Sequence, residues 1–325
     1  MSQISRIRKT LAIAIVLLLT SSVSTHAQDT TKKKKQPPQG TPVLWREPAD
    51  IASRNLLHGP GGEQLKPDLS RVTFIKDETG GYSKKYRVKD GQGRIWVAKI
   101  GKEAQSETAA VRLVWAVGYV SEINYLAPQV TIEGKGTFEN VRFEARPDHI
   151  KRFDEWTWES NPFAGKRELQ GLKVLMALME NWDLKDANNR ILLVQNSGVN
   201  ELHYIVSDLG TTFGKTGGQK SPMAFLRSIK GSRNEPADYV KDEFLKGVQN
   251  NVVQLDYSGK NSGLMRNITV ADAKWIGELL ARLSDQQLQD AFRAANYKPD
   301  EVMMLAGAVR KRINELVNLQ SGPGV

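Results

Sequence analysis

The chain has no cysteine. That one absence removes disulfides, thiolate zinc sites, cysteine nucleophiles and a lipid-bearing cysteine behind a leader. Core packing alone must hold the fold. Histidine is almost as scarce: His26, His58, His149 and His203 are scattered, without the short spacings that gather imidazoles on a metal. There is no internal repeat, and the longest clean apolar run, Leu11 to Leu19, is shorter than a membrane span needs. What remains is ordinary globular composition, 40% hydrophobic and 25% charged, with a formal net charge of +10 over 325 residues.

The N-terminus carries a targeting pattern. Arg6, Arg8 and Lys9 precede the apolar run, small and polar residues follow it, and Thr25-His26-Ala27 gives a cleavage site after Ala27. This is the layout of a secretory signal peptide over residues 1–27, and it predicts an exported, periplasmic or secreted protein with no membrane span after cleavage. Its removal takes away three basic residues and no acid, leaving +7. Lys32–Lys35 then lie in a polar, proline-containing tether, so residues 28–64 are expected to be linker and lead-in.

From Leu65 to about Arg146 the texture is that of strands. Val72–Lys76 and Tyr86–Lys89 flank a glycine turn, Thr79-Gly80-Gly81-Tyr82-Ser83, and Asp90-Gly91-Gln92-Gly93 turns into Arg94–Ile100. Alternation in that last strand sets Ile95, Val97 and Lys99 on one face. A helix follows, expected to start near Ser106 as N-cap and to stop at Gly118. Ala110, Leu113, Val114 and Val117 form its apolar stripe, with Glu107 beside it. Gln129–Ile132 and Asn140–Ala145 read as further strands. After Pro147 the pattern turns helical, with Leu172, Leu175, Met176 and Met179 as a core stripe over Arg167–Glu180. Trp156 and Trp158 are read as packing. Helices are expected from Tyr239 onward, two of them starting at Ser284 and at Pro299-Asp300. Residues 211–234 form a loop with five basic residues and no acid.

The strands Ile191–Val194 and Leu202–Ser207 make a hairpin. Antiparallel pairing about Gly198 would set Asn188 across from Asp208, with Asp183 just upstream. One amide and two carboxylates would then converge, a set of oxygen donors suited to Mg2+ or Mn2+ with substrate phosphates.

Asp183-Leu184-Lys185 with Asn188 five positions after the aspartate resembles a protein-kinase catalytic loop. Asp208-Leu209-Gly210, directly after an apolar strand, resembles the metal-binding DFG element with leucine for phenylalanine. Val97-Ala98-Lys99 is similar to the strand that carries the phosphate-binding lysine, and Glu107 is placed like the glutamate that pairs with it. The order along the chain matches too. Asn181-Trp182 stand where conventional kinases have His-Arg, and only Gly80-Gly81 represent a fuller glycine loop. These departures look closer to the atypical branches: HipA-like, lipid-kinase-like and secretory-pathway kinases.

The resemblance implies an α+β bilobal kinase-like fold, with a small β-rich N-lobe holding one helix (65–147) and a larger, mainly helical C-lobe (148–325). It implies ATP and Mg2+ or Mn2+ as cofactors. Asp183 and Lys185 would be catalytic, Lys99, Glu107, Gly80 and Gly81 would bind the nucleotide, and Asn188 and Asp208 would hold the metal. The expected partners are the nucleotide and a hydroxyl-bearing acceptor, of acidic character if the basic loop meets it; no nucleic acid is expected. The alternatives are a lapsed kinase-like scaffold in the cell envelope and a metal-dependent hydrolase using Asp183 and Asp208. Two other patterns fail. A P-loop would need glycine at Leu209, and Lys215-Thr216-Gly217 has no serine with a lysine three residues on to serve as its nucleophile.

Overall fold

The computed structural model describes residues 39–80, 83–196, 198–216 and 231–320. The expected signal peptide, Lys32–Lys35, Gly81 and the interior of the basic loop lie outside the described residues.

Five strands close into a barrel: β2 (Val72–Asp77), β3 (Lys84–Lys89), β4 (Ile95–Ile100), β5 (Asn124–Glu133) and β6 (Gly136–Ala145), in the order β2-β3-β4-β6-β5. Neighbours are antiparallel except where β2 meets β5 in parallel, Val72 opposite Ile132, which completes the closure. Period-two alternation decides which side chains fill it. Val88, Trp96, Ala98, Val141 and Phe143 point inward with Tyr86 and Tyr125 as a separate apolar cluster. The outward faces of the same strands are charged, and their register aligns the charges in rows. Lys85 pairs with Lys99, which pairs with Arg142; Arg87 pairs with Val97, which pairs with Glu144.

Helix α1 (Glu103–Ala116) lies between β4 and β5 in sequence, and nearly all its residues are buried. Its N-cap is Lys102, four residues earlier than the sequence suggests. Ser106 is not its N-cap but sits in its interior, where the Ser106 hydroxyl donates to the carbonyls of Glu103 (3.2 Å) and Gly210 (2.8 Å). A hydroxyl with those buried partners has no need of a cap position. The helix does end at Gly118, whose φ of +97° and whose 2.2 Å approach of a would-be Cβ to the Arg46 carbonyl require glycine.

A second sheet runs β1-β9-β8-β7, with β1 (Thr41–Val43) parallel to β9 (Val199–Val206), and β8 (Asn189–Asn196) between β9 and β7 (Ile150–Asp154). Two of these strands correct the sequence reading. β1 lies where a tether was expected, and Leu44, Ile51 and Leu56 just after it are fully buried in the main core. β7 lies in a segment read as helical. Its five residues carry too little pattern to identify it, and pairing with β8 decides its state.

The remaining helices are α2 (Arg167–Leu178), α3 (Pro236–Lys241), α4 (Val270–Ala281), α5 (Asp285–Arg293) and α6 (Pro299–Val317). α5 opens with Ser284 in a reciprocal capping box with Gln287, and α6 opens on Pro299, as the sequence indicates. Leu172, Leu175, Met176 and Met179 are buried in the main core, as is the edge-on pair Trp156–Trp158. Between α3 and α4 the expectation of helix fails. β10 (Leu245–Gln249) and β11 (Val252–Leu255) form a hairpin turned by Asn250 and Asn251, both left-handed at φ 51° and 59°. Two consecutive left-handed residues are what a tight two-residue hairpin needs, and asparagine tolerates them. No helix among the described residues is long and apolar enough to cross a membrane.

Candidate functional site

The charged rows on the barrel's outer face meet the end of the β8–β9 hairpin across a cleft of about 470 Å³. Lys99 and Glu107 line it with Gly80, Asn188 and Asp208, so five of the expected site residues share one cavity. Lys99 is the centre. Alternation on β4 turns its side chain away from the barrel core, with Val97 on the same face, while Ala98 points into the core. Its ammonium lies 2.9 Å from Glu107, 3.0 Å from Glu103 and 3.5 Å from Asp208, with only 3% of the side chain exposed. Burial alone would lower its proton affinity. Glu107 first, then Asp208 and Glu103, outweigh that and hold the lysine above its ordinary value, so it stays a cation.

Glu107 is buried completely, and burial pushes it above the usual carboxylate range while Arg142 and Lys99 pull it back. Arg142 pairs with it and, at 2.7 Å, with Glu144. Burial also raises Asp208, but Lys99, the Gly210 N–H at 3.2 Å and Arg142 together hold it below its ordinary value. Gly210 is required here by space. A Cβ there would come within 2.7 Å of the Glu103 Cβ and 3.2 Å of the Lys99 ammonium. Leu209 points the other way, fully buried in the main core.

The hairpin register is centred half a residue before Gly198, Asn189 opposite Val206. Asn188 therefore meets Asp208 through the backbone: its carbonyl accepts from the Ser207 N–H (2.8 Å) and the Asp208 N–H (3.2 Å). Its side-chain amide donates to the Asp183 carbonyl at 2.6 Å and lies 3.4 Å from the Asp183 carboxylate. Asn189 is wholly buried and donates to the Trp156 carbonyl, so of the two asparagines it is Asn188 that faces the cleft. Asp183 does not line the cleft itself and joins it through Asn188. Its two carboxylate oxygens lie between two ammonium groups, Lys185 at 2.9 Å and Lys260 at 3.0 Å.

Glu103, Arg142 and Lys260 escaped the sequence reading. Glu103 stands four residues after Lys99, a spacing hidden because a strand ends and a helix begins between them. Its carboxylate accepts from the Ser83 hydroxyl at 2.8 Å, which ties the last residue of the glycine turn to α1. Arg142 could have been noticed as one of two charges alternating with Val141 and Phe143. Lys260 has no local signal. It arrives because residues 257–261 are stitched along the segment 181–184: the Lys260 N–H donates to the Trp182 carbonyl (2.7 Å), the Tyr257 hydroxyl to the Asn181 carbonyl (2.7 Å) and the Asn261 amide to the Leu184 carbonyl (2.7 Å).

The donor set can be tested against a hard divalent ion. The Oδ2 of Asp208 and the Oδ1 of Asn188 have no hydrogen-bond partner among the described residues, and both residues line the cleft. A carboxylate and an amide oxygen beside open space are donors of the type Mg2+ or Mn2+ takes when phosphate oxygens and waters complete the shell. Among the described residues, no three histidine, aspartate or glutamate side chains form an all-protein metal cage.

No protein-family profile and no curated protein matches this chain. Among solved structures, it is similar to a Helicobacter pylori proinflammatory kinase, CtkA, at 11% identity and a TM-score of 0.46, over 77% of this chain and 96% of that one. It is also similar to the amicoumacin kinase hAmiN, solved in complex with AMP-PNP, Ca2+ and Ami, at 10% identity and a TM-score of 0.21, over 77% of this chain and 90% of that one. Overlaps this loose fix nothing about the chemistry, which stands on the side chains.

Proposed function

We propose that the chain is an exported, kinase-like phosphotransferase that uses ATP with Mg2+ or Mn2+ to phosphorylate a hydroxyl-bearing acceptor. In this reading residues 65–147 are a small β-rich lobe, residues 148–325 a larger, mainly helical one, and the signal peptide directs export. One observation carries it: a buried lysine held between a helix glutamate and an aspartate two residues past a strand, with an asparagine amide facing the same cleft.

Phosphoryl transfer is chiefly positioning and charge neutralisation, and the residues suit those tasks. Lys99, fixed by Glu107, meets nucleotide phosphates. Gly80 and Gly81 let backbone approach them. Asp208 and Asn188 hold the divalent ion, which when bound offsets the charge of the terminal phosphates. Asp183 orients the acceptor hydroxyl and receives its proton, while Lys185 steadies the transferred group. Lys260, the second cation on Asp183, favours an acceptor that carries negative charge beside its hydroxyl.

A second reading, a scaffold that keeps this architecture without turnover, has one feature in its favour. Part of the cleft is lined by Glu144, Arg146 and Arg152 paired with one another rather than by an apolar slot for a base. Incubation with γ-labelled ATP and Mn2+ separates the two. Label on the protein or on an added acidic acceptor such as casein, lost in Asp183→Asn and Asp208→Ala, is the expected result. Nucleotide binding without any labelled product would favour the scaffold.

A further inference from the structure

A second cavity, of about 340 Å³, lies on the other side of a wall of paired charges from the cleft. Arg146 and Arg152 line both cavities, whereas Glu122 lines only the second. The wall is dense. The Arg152 guanidinium reaches Glu122, Glu144 (2.7 Å) and the Ser207 hydroxyl, and Arg146 pairs with Glu144.

The cavity is of a different character from the cleft. Its floor is apolar: Leu192 and Val194 from β8, with Ile205 beneath, form a small cluster of their own on which Val120 and Ile150 pack. Trp115 and Ile123 complete the walls. Two buried oxygens at this site have no partner, the Ser121 hydroxyl and Oε2 of Glu122. Oε1 of Glu122 is fully used, accepting from Arg152 and, at 3.1 Å, from the Ser207 hydroxyl. Glu122 is only 7% exposed, so an unmatched carboxyl oxygen there costs free energy unless a donor reaches it. The rim charges leave little net field. Arg46 is paired with Glu201, Arg54 with Asp50, and Arg146 and Arg152 with Glu144 and Glu122. A charged ligand would be stripped of water without gaining an unpaired counter-charge.

We propose that this cavity is a binding site, separate from the nucleotide cleft, for an uncharged amphipathic small molecule: an apolar body of about one ring seated on the β8 cluster, and a hydroxyl or amide head that donates to Glu122 and accepts from the Ser121 hydroxyl. An apolar pocket with a few convergent polar atoms is the usual make-up of such sites. The site stands whether or not the cleft turns over nucleotide, because none of its contacts involves Lys99, Asn188 or Asp208.

Three probes share a phenyl body and differ in the head group, neutral in 2-phenylethanol, anionic in phenylacetate and cationic in phenethylamine. Binding is read from the Trp115 indole N–H resonance in two-dimensional NMR of the full chain, up to about 10 mM, the range open to a probe of about nine non-hydrogen atoms. 2-Phenylethanol should shift that resonance saturably, and the two charged probes should bind at least about tenfold more weakly. Ser121→Ala should weaken 2-phenylethanol about fivefold, Ile150→Trp should fill the cavity and abolish binding, and Asp208→Ala should leave it unchanged. Should Ile150→Trp fail to fold, the Ser121→Ala and head-charge comparisons decide alone. Equal binding of a charged probe, undiminished binding in Ser121→Ala or in folded Ile150→Trp, or no shift with any probe overturns the proposal.

Discussion

Lys99 has three carboxylates within 3.5 Å, and those carboxylates depend on it as much as it depends on them. Glu107 is the most exposed to loss, since it is fully buried between Lys99 and Arg142. Removing one partner from a buried charge pair strands the other in a poor solvent for charge. Glu107→Ala should therefore lower the unfolding free energy by about 3–5 kcal/mol, measured by urea titration. Proton affinities give a second residue-scale test. Asp208 and Glu103 are both held below their ordinary values, with Lys99 the chief attractive cause in each. A depressed carboxylate contributes stability that is fully present above its unfolded value, about 4, and is lost as pH falls through its lower native value. Lys99 runs the other way: its contribution is present below about pH 10.4 and is lost only as pH rises through its raised native value. Carboxyl-carbon NMR should show both acids titrating below their usual midpoints, and Lys99→Met should raise both; unchanged midpoints would mean the lysine does not set them.

At the scale of elements, the site depends on where strands and helices exchange chain. β4 delivers Lys99 because its alternation is strict, and that was legible: Trp96 and Ala98 fill the barrel, Val97 and Lys99 do not. The register that lines Lys85 and Arg142 up beside Lys99 was not legible, because it belongs to three strands at once. The start of α1 was misread for a related reason. Ser106 has the chemistry of a cap, but a distant carbonyl, Gly210, competes for its hydroxyl and wins. That bond clasps α1 to the segment after Asp208, with the Thr212 hydroxyl returning to the Ser106 carbonyl at 3.4 Å. Ser106→Ala should leave the Gly210 carbonyl unmatched in the core, at a cost of about 1–3 kcal/mol with an unchanged urea slope. A loss below a few tenths of a kcal/mol would show the clasp to be incidental. Short strands hid for lack of pattern: β7 is five residues, β1 is three, and β10–β11 announced themselves only through Asn250-Asn251.

For the whole molecule, two apolar clusters organise the chain around the cleft, one inside the barrel and one among the helices and the second sheet. α1 bridges their chemistry. It follows the barrel strand that bears Lys99, yet its apolar side chains Ala110, Leu113 and Val114, with Val117 just past its end, belong to the main core. That Lys99, Glu107, Asn188 and Asp208 gather at one cleft was readable from sequence because each sits at a signal, such as a strand alternation, a helix stripe or the residues just past a strand. Lys260 was not, because its place depends on a loop packing against another loop far away in sequence.

The most direct test of the proposed nucleotide site is thermal unfolding of the purified chain with and without Mn2+-ATP, beside Lys99→Ala and Asp208→Ala. A ligand at about 100 times its Kd that binds only the folded state adds about 2.7 kcal/mol, a rise of a few degrees. The account predicts that rise for the native sequence and its loss in both variants while each remains folded. An unfolding temperature that no nucleotide or divalent ion moves, or an equal rise in both variants, would contradict it.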